Sequence, residues 1–194
     1  MPPRGDSTRA QITDTAMKMF VEQGYDKTSL REIAEACGVT KAALYYHFKA
    51  KDDIARSAFA EFGSAAEDIL EWFRQAQPGA ARTEELVDRL LDFLDGGGVH
   101  AMRFFQANPT VLGREDFTAN NVGYLQKFVY AAAGRDPDAD AMLRATMSMG
   151  ALLLSATEET PLGRIGDAQS RRSAARALAL ETLAPLSDRP PPGL

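Results

Sequence analysis

Cysteine and histidine are scarce in this 194-residue chain, which contains one cysteine, Cys37, and two histidines, His47 and His100. A lone cysteine excludes an intramolecular disulfide, and the sequence has neither an HExxH zinc motif nor a glycine-rich phosphate loop. Glu158 and Glu159 are adjacent, so on a helix they point about 100° apart and do not form an acid–base pair. An enzyme is therefore disfavoured, and neither a cofactor nor a metal ion is predicted.

Long apolar runs are missing as well. No segment approaches the roughly 18 to 20 apolar residues that cross a bilayer. The N-terminal sequence MPPRGDSTRAQ also lacks the apolar stretch of a secretory signal. We therefore expect a cytoplasmic protein without a membrane partner, in agreement with the single unpaired cysteine.

Positive charge is in the minority, since the formal net charge is −5, but its distribution is uneven. Residues 1–51 contain eight Lys or Arg against six acids, a balance of +2, which leaves 14 against 21, or −7, for the remainder. A basic N-terminal segment followed by an acidic remainder is typical of a nucleic-acid-binding module attached to a second domain. The acidic remainder favours neutral or cationic ligands over anions.

Apolar residues recur three and four positions apart along almost the whole chain, and no alternating run predicts a strand. This spacing predicts an all-α fold of about nine helices. The proline-rich tail of residues 189–194 is expected to be disordered. Thr83 and Asp136 are expected to cap the helices that follow them.

The most informative segment runs from Thr28 to Phe48 and predicts two short helices around a tight turn. Ser29 and Glu32 have the spacing of a capping box, Gly38 supplies the left-handed residue that ends the first helix, and Thr40 caps the second. In a helix-turn-helix, the second helix lies in the major groove of DNA and presents its N-terminal residues to the bases. The segment therefore predicts a DNA-binding motif.

The second of these helices carries side chains suited to a groove. Short residues at its start, such as Ala42, allow close approach to the bases. Lys41 is placed for a phosphate or a guanine, and the hydroxyl groups of Tyr45 and Tyr46 flank Leu44. For Tyr46 and His47, packing inside the small domain is the alternative to DNA contact.

Between about Ala10 and Ile54 the sequence resembles the TetR family of bacterial repressors. The resemblance is carried by these residues, in chain order: Phe20, Gly24-Tyr25, Thr28-Ser29, Ile33-Ala34, Gly38-Val39, Leu44 to Phe48 and Lys51-Asp52. It implies an N-terminal DNA-binding domain of three helices in residues 1–51, followed by a helical effector-binding and dimerisation domain in residues 52–188. One departure is Ala50, where such sequences often have a capping serine or asparagine.

The resemblance also implies a function and its residues. The function is that of a ligand-responsive repressor, which binds a near-palindromic operator as a homodimer through its last two long helices and is released by a small-molecule effector. The DNA-contacting positions carried over from the family are Thr28, Arg31, Thr40, Lys41, Ala42, Tyr45, Tyr46, His47 and Lys51.

An effector pocket in the second domain could be lined by large apolar residues, although each of them could equally be ordinary core. The candidates are Trp72, Phe73, Met102, Phe104, Phe105, Phe128, Met142 and Met147. His100 could face a ligand or solvent. Small residues in the last two long helices allow close packing between subunits, and an intrachain core would explain the same pattern.

Two further functions compete with a repressor. One is a helical ligand-binding or scaffold protein that no longer binds DNA. Lys41 and Lys51 argue against it, because such a protein would lack positive charge facing the phosphates. The other is an activator, because the sign of regulation depends on where the operator lies relative to a promoter.

Overall fold

The computed structural model describes residues 4–98, 103–104, 107–108, 123–157 and 166–192, without the side chains of residues 4–6 and 97–98. Within these ranges it contains no strand and eight α-helices: α1 (Arg4–Glu22), α2 (Leu30–Ala36), α3 (Lys41–His47), α4 (Lys51–Gln75), α5 (Ala80–Phe93), α6 (Tyr124–Ala133), α7 (Ala139–Ser155) and α8 (Ala168–Leu183). The predicted all-α fold is confirmed. None of the helices described has the length and apolar character needed to cross a membrane.

The chain forms two compact units. Unit 1 comprises the described residues of Met1–Gly63 and His100–Asn121, and unit 2 comprises those of Ser64–Val99 and Val122–Leu194. The first half of α4 thus belongs to unit 1 and the second half to unit 2. This division differs from the predicted boundary after Lys51, because α4 contributes Ile54 and Phe59 to the core of unit 1.

The core of unit 1 is built around the apolar face of α1. Ile12, Ala16 and Phe20 recur every four residues and are completely buried, as the helical repeat requires for one face of a helix. Leu44 of α3 and Phe48 just after it join the same core at 0% and 1% exposure. Helix α3 is therefore anchored by one face, which leaves the opposite face outside.

Two residues far along the chain complete unit 1. The Phe104 ring is completely buried and meets the rings of Phe20, Tyr25 and Phe59 edge-on at centroid distances of 5.9, 5.7 and 5.2 Å. Asn108 accepts a hydrogen bond from the Tyr25 backbone N–H (2.6 Å) and donates one to the Phe20 carbonyl (3.0 Å). The Asn108 amide therefore caps the C-terminal end of α1, where helical carbonyls lack partners.

In unit 2 the most extensive helix contact described is that of α7 with α8. Alanines lie at the centre of this contact: Ala141, Ala145 and Ala179 are at most 1% exposed. Small side chains let two helices approach closely. Helix α8 is also bound to α5 by ion pairs, since Arg176 holds both carboxylate oxygens of Asp88 (2.5 and 2.8 Å) and Arg172 contacts Asp92 at 2.7 Å.

The chain after α8 is well packed rather than free. Ser187 and Arg189 accept hydrogen bonds from the Arg82 side chain through their backbone oxygens (3.1 and 2.7 Å), and the Pro190 carbonyl accepts one from the Arg135 backbone N–H (2.9 Å). The prediction of a disordered tail is therefore wrong for residues 189 and 190. These residues are ordered by hydrogen bonds to partners more than 50 positions away. The composition of the tail, which is polar and rich in proline, does not reveal such partners.

Two helix starts differ from the prediction. Helix α5 begins at Ala80 with Gly79 as its N-cap, and the Thr83 hydroxyl is buried against Ser187 Oγ (3.1 Å) instead of capping. Helix α7 is capped by Asp138, whose carboxylate accepts from the Ala141 N–H at 2.8 Å, and not by Asp136. In both cases the chain offered several capping residues within one turn.

Candidate nucleic-acid interface

Helices α2 and α3 are joined by a turn whose geometry follows from local hydrogen bonds. Ser29 and Glu32 form the predicted capping box, since each side chain bonds to the other residue's backbone N–H. The hydrogen bond from the Ser29 hydroxyl is the leading cause that lowers the pKa of Glu32. Gly38 has φ +66°, a conformation that costs glycine little. The Thr40 hydroxyl then caps α3 by accepting from the Ala43 N–H at 3.1 Å.

The outer face of α3 is presented to solvent. Tyr46 is 81% exposed and Tyr45 is 37% exposed, while Lys41 and Ala42 are exposed beside them. The Lys41 ammonium lies 5.6 Å from the centroid of the Tyr45 ring. This face combines a cation, two hydroxyl groups and a small residue, which is the chemistry that contacts phosphates and base edges.

Arg31 on α2 is exposed and pairs with Glu35 one turn later (2.8 Å). The hydrogen bond that Arg31 donates to Glu35 is the leading cause that raises the pKa of Arg31. An exposed pair of this kind is weak, so the guanidinium remains available for a phosphate. The structure thus presents Arg31, Thr40, Lys41, Ala42, Tyr45 and Tyr46 on the surface of unit 1.

His47 is half-buried at the end of α3, where its ring meets that of Tyr46 edge-on at 5.2 Å. Its backbone carbonyl accepts a hydrogen bond from Arg9 Nη1 at 3.1 Å. This position is compatible with packing inside unit 1 and with DNA contact, so DNA contact by the His47 side chain stays a prediction.

Thr28 is placed differently from the prediction. It is only 2% exposed, and its hydroxyl donates to the Gly24 carbonyl at 2.9 Å. The side chain therefore closes the turn between α1 and α2 instead of facing a groove. The threonine–serine pattern did not show which of its two hydroxyl groups points inward.

Lys51 also differs from the prediction. Its ammonium donates to the backbone oxygens of Tyr25 (2.6 Å), Asp26 (3.3 Å) and Thr28 (3.3 Å). It lies 4.4 Å from the centroid of the Tyr25 ring, a cation–π contact. All three N–H groups are engaged, so Lys51 binds the start of α4 to the α1–α2 turn and is not a free phosphate ligand.

Asp53 compensates for the departure noted at Ala50. Its carboxylate accepts from the backbone N–H groups of Lys49 (3.1 Å) and Ala50 (2.9 Å) at the start of α4. The hydrogen bond from Arg56 (2.6 Å) and these two bonds lower the pKa of Asp53. Asp53 thus supplies the acidic half of a capping box at the start of α4, which in part makes up for the serine missing at Ala50.

Arg9 is a positioning residue that the sequence analysis missed. Besides the His47 carbonyl, it reaches Ser57 Oγ (3.0 Å), and its guanidinium stacks 4.3 Å from the centroid of the Phe48 ring. Arg9 therefore connects α1 to the end of α3 and to α4. No sequence signal indicated this role, because its partners lie 38 and 48 positions away.

The predicted effector-site residues do not converge. Phe104 belongs to the core of unit 1, so its assignment to a pocket in the second domain is wrong; the chain returns to unit 1 there, which apolar spacing does not reveal. Met147 is 61% exposed on α7. Phe73 and Phe128 are buried in unit 2 at 3% exposure each, and Trp72 and Met142 are half-buried. Met102, Phe105 and His100 lie outside the described residues.

Comparison with known proteins finds a family match at this interface. A family model for bacterial regulatory proteins of the tetR family matches residues 12–58, the span from α1 into α4. The match covers about a quarter of the chain and shows that residues 12–58 are similar to the tetR family. The exposed face of α3 lies within this matched span.

Two curated relatives share stretches of sequence with this chain. The HTH-type transcriptional regulator AcrR of Shigella flexneri is 53% identical over 47 residues, 24% of this chain and 22% of that protein. The biofilm operon negative transcriptional regulator IcaR of Staphylococcus epidermidis is 42% identical over 48 residues, 25% of this chain and 26% of that protein. The chain thus matches about a quarter of the length of these relatives.

The fold as a whole has solved counterparts. The ketosteroid transcriptional regulator KstR2 of Mycobacterium tuberculosis aligns with a TM-score of 0.66 at 18% identity, covering 93% of this chain and 95% of that one. At this identity the comparison establishes the fold, and it includes the helical second unit.

Proposed function

We propose that this chain is a TetR-family, ligand-responsive transcriptional repressor that binds a near-palindromic operator as a homodimer. The observation that carries the proposal is the two-sided character of α3. Leu44 anchors the helix in the core of unit 1, while Lys41, Tyr45 and Tyr46 stand outside it. Repression is favoured over activation because the matched IcaR is a negative regulator.

Several features support groove binding by α3. Thr40 and Gly38 determine where the helix begins, and the hydrogen bond from Arg9 holds the carbonyl at its end. A helix held at both ends keeps its side chains in a defined orientation, which base reading requires. Arg31 on the preceding helix provides a cation for the adjacent phosphates.

The proposed dimer uses the outer faces of α7 and α8. Leu143, Met147 and Leu154 recur along one side of α7 at 62%, 61% and 41% exposure, and Leu178 on α8 is 52% exposed. Apolar residues exposed together in this way are typical of an association surface. Two copies of this helix pair would form a four-helix interface related by a two-fold axis.

The proposed effector binds in unit 2, among apolar side chains such as Phe73 and Phe128. Helix α4 is continuous from unit 1 into unit 2. In a helix-turn-helix dimer the two DNA-reading helices, here α3 of each subunit, are roughly 34 to 36 Å apart. An effector that prefers one conformer of unit 2 would alter this separation through α4. A bacterial cytoplasmic location follows from the operator and agrees with the free thiol of Cys37.

The proposal is tested by selecting bound sequences from a random DNA duplex library. The most enriched sequence is then titrated with the protein at several salt concentrations. We expect an inverted repeat that is bound with a steep dependence on salt. Failure to enrich any sequence with protein freed of co-purified ligands would contradict the proposal.

Variants with matched controls locate the interface. We expect Tyr45→Ala to weaken operator binding by roughly 5- to 100-fold and Lys41→Ala to lower the salt slope by about one. Tyr130→Ala, at an exposed tyrosine of unit 2 (43%), is the control and should leave binding unchanged. Normal binding by both interface variants would refute the assignment of α3 to the groove.

The dimer surface has its own test. Leu143→Glu places a charge in the centre of the proposed interface and should convert the dimer to a monomer in sedimentation velocity. Leu125→Glu alters a comparably exposed leucine (48%) on α6 and should leave the dimer intact. Equal behaviour of the two variants would exclude the α7–α8 face as the interface.

A further inference from the structure

Unit 2 contains a buried cation whose hydrogen-bonding groups are only partly used. Arg82, in the first turn of α5, is 5% exposed. Its Nη2 atom donates to the carbonyls of Ser187 and Arg189. Among the described residues, however, Nε and Nη1 are both buried and have no hydrogen-bond partner. Unpaired charged donors away from water are among the most costly arrangements in a protein interior.

The surroundings of Arg82 do not neutralise its charge. Both acceptors are backbone carbonyls, and the guanidinium stacks 4.4 Å from the centroid of the Phe73 ring. Burial lowers the pKa of Arg82, while the more distant charge of Asp188 acts in the opposite direction. Within the part of the chain that the structure describes, Arg82 forms no ion pair.

A small cavity adjoins this group. Its volume is about 10 Å³, and its polar lining consists of Arg82 and Thr83. The rest of the wall is apolar and includes Phe73, Leu86, Ala132 and Leu183. The space admits roughly one water-sized particle, so a tetrahedral dianion is too large for it. A water molecule could accept from the guanidinium but would leave its charge uncompensated.

We propose that Arg82 holds a single small monovalent anion in this cavity. The anion would accept from the Nε and Nη1 groups, which the protein leaves unpaired, while Nη2 continues to hold the C-terminal segment. This inference does not rest on DNA binding. It reverses the expectation from net charge that unit 2 disfavours anions, because one buried cation outweighs distant, solvated acids.

Thermal unfolding of the full chain in different sodium salts provides the test, with gluconate, which is too bulky for the cavity, maintaining constant ionic strength. We expect chloride or formate to raise the Tm with the logarithm of concentration, by on the order of a few degrees between 1 and 100 mM. No difference between these anions and gluconate would overturn the proposal.

Two variants and a control assign the effect to the cavity. Ala132→Val fills the cavity without touching the bonds of Nη2, and Arg82→Lys keeps the charge but removes the Nε and Nη1 donors. Both should lose the anion-dependent rise. Arg89→Met removes another arginine of α5, one that stacks on Trp72 at 4.3 Å and pairs with Glu85, and it should retain the rise.

Because Arg82→Lys also weakens the attachment of the C-terminal segment, Ala132→Val carries the test if the lysine variant fails to fold. An equal rise in wild type and Ala132→Val would overturn the proposal. Octanoate tests the size limit, because its chain does not fit the cavity. A rise with chloride or formate that octanoate does not reproduce supports a small ion held in the cavity, and an equal rise with octanoate would overturn the proposal.

Discussion

Asn108→Ala removes the side chain that caps the end of α1 in unit 1. The amide bridges the Tyr25 N–H and the Phe20 carbonyl, and it also donates to the Phe104 carbonyl at 2.9 Å. Asn108 is 6% exposed and Tyr25 is 1% exposed, so water does not readily replace the lost bonds. A buried group left unsatisfied costs about 1–3 kcal/mol, and we expect a total loss of about 2–4 kcal/mol.

Hydrogen exchange of the Tyr25 amide measures this loss locally. At about 1.4 kcal/mol per factor of ten, the Tyr25 N–H should exchange roughly 30- to 700-fold faster in Asn108→Ala. Gln23→Ala is the control, because Gln23 is an exposed amide of the same turn and should change stability by less than about 0.5 kcal/mol. If Asn108→Ala resembled Gln23→Ala in exchange and in denaturant midpoint, Asn108 would not support the α1–α2 turn as described.

Three further predictions follow from contacts in the structure. Lys51→Met should destabilise unit 1 by about 1–3 kcal/mol in urea unfolding, since three carbonyls lose their donor. The control Lys49→Met, at an exposed lysine, should cost less than about 0.5 kcal/mol. Equal losses of stability in the two variants would refute the role assigned to Lys51. Asp53→Asn should cost about 0.5–1 kcal/mol near neutral pH. Because the folded-state pKa of Asp53 is lowered, its contribution is present above the unfolded value of about 3.9 and is lost as the pH falls through the folded value. A difference between wild type and Asp53→Asn that did not shrink in acid would contradict this cause. Gly134→Ala should cost about 1–3 kcal/mol in thermal unfolding, because Gly134 has φ +84° and an added Cβ would lie 2.7 Å from Arg189 Cβ; Gly123→Ala, where nothing lies within 4 Å, should be tolerated.

The helix-turn-helix could be predicted in detail because its determinants are local. The capping box of Ser29 and Glu32, the left-handed Gly38 and the Thr40 cap each act over no more than three or four residues. Their spacing is therefore visible in the sequence, as is the buried face of α1. Chain periodicity also determined that the fold is all-α.

Interactions between distant segments could not be predicted in the same way. The sequence suggested Lys51 and Thr28 as DNA ligands, yet both are used inside unit 1, and it assigned Phe104 to a pocket although the residue fills the core of unit 1. A lysine that binds phosphate and one that binds turn carbonyls have the same sequence context. Only the position of the acceptors distinguishes them.

The sequence by itself determined the helices, the turn between α2 and α3 and the resemblance to the tetR family in this region, since each depends on residues within a few positions of one another. Tertiary structure decided which polar groups remain free for a ligand. Arg9, Asn108 and Arg82 find their partners 38 to 107 positions away. Burial and pairing at such separations arise only when the chain has folded, because the free energy of a polar group depends on its surroundings and not on its neighbours in sequence.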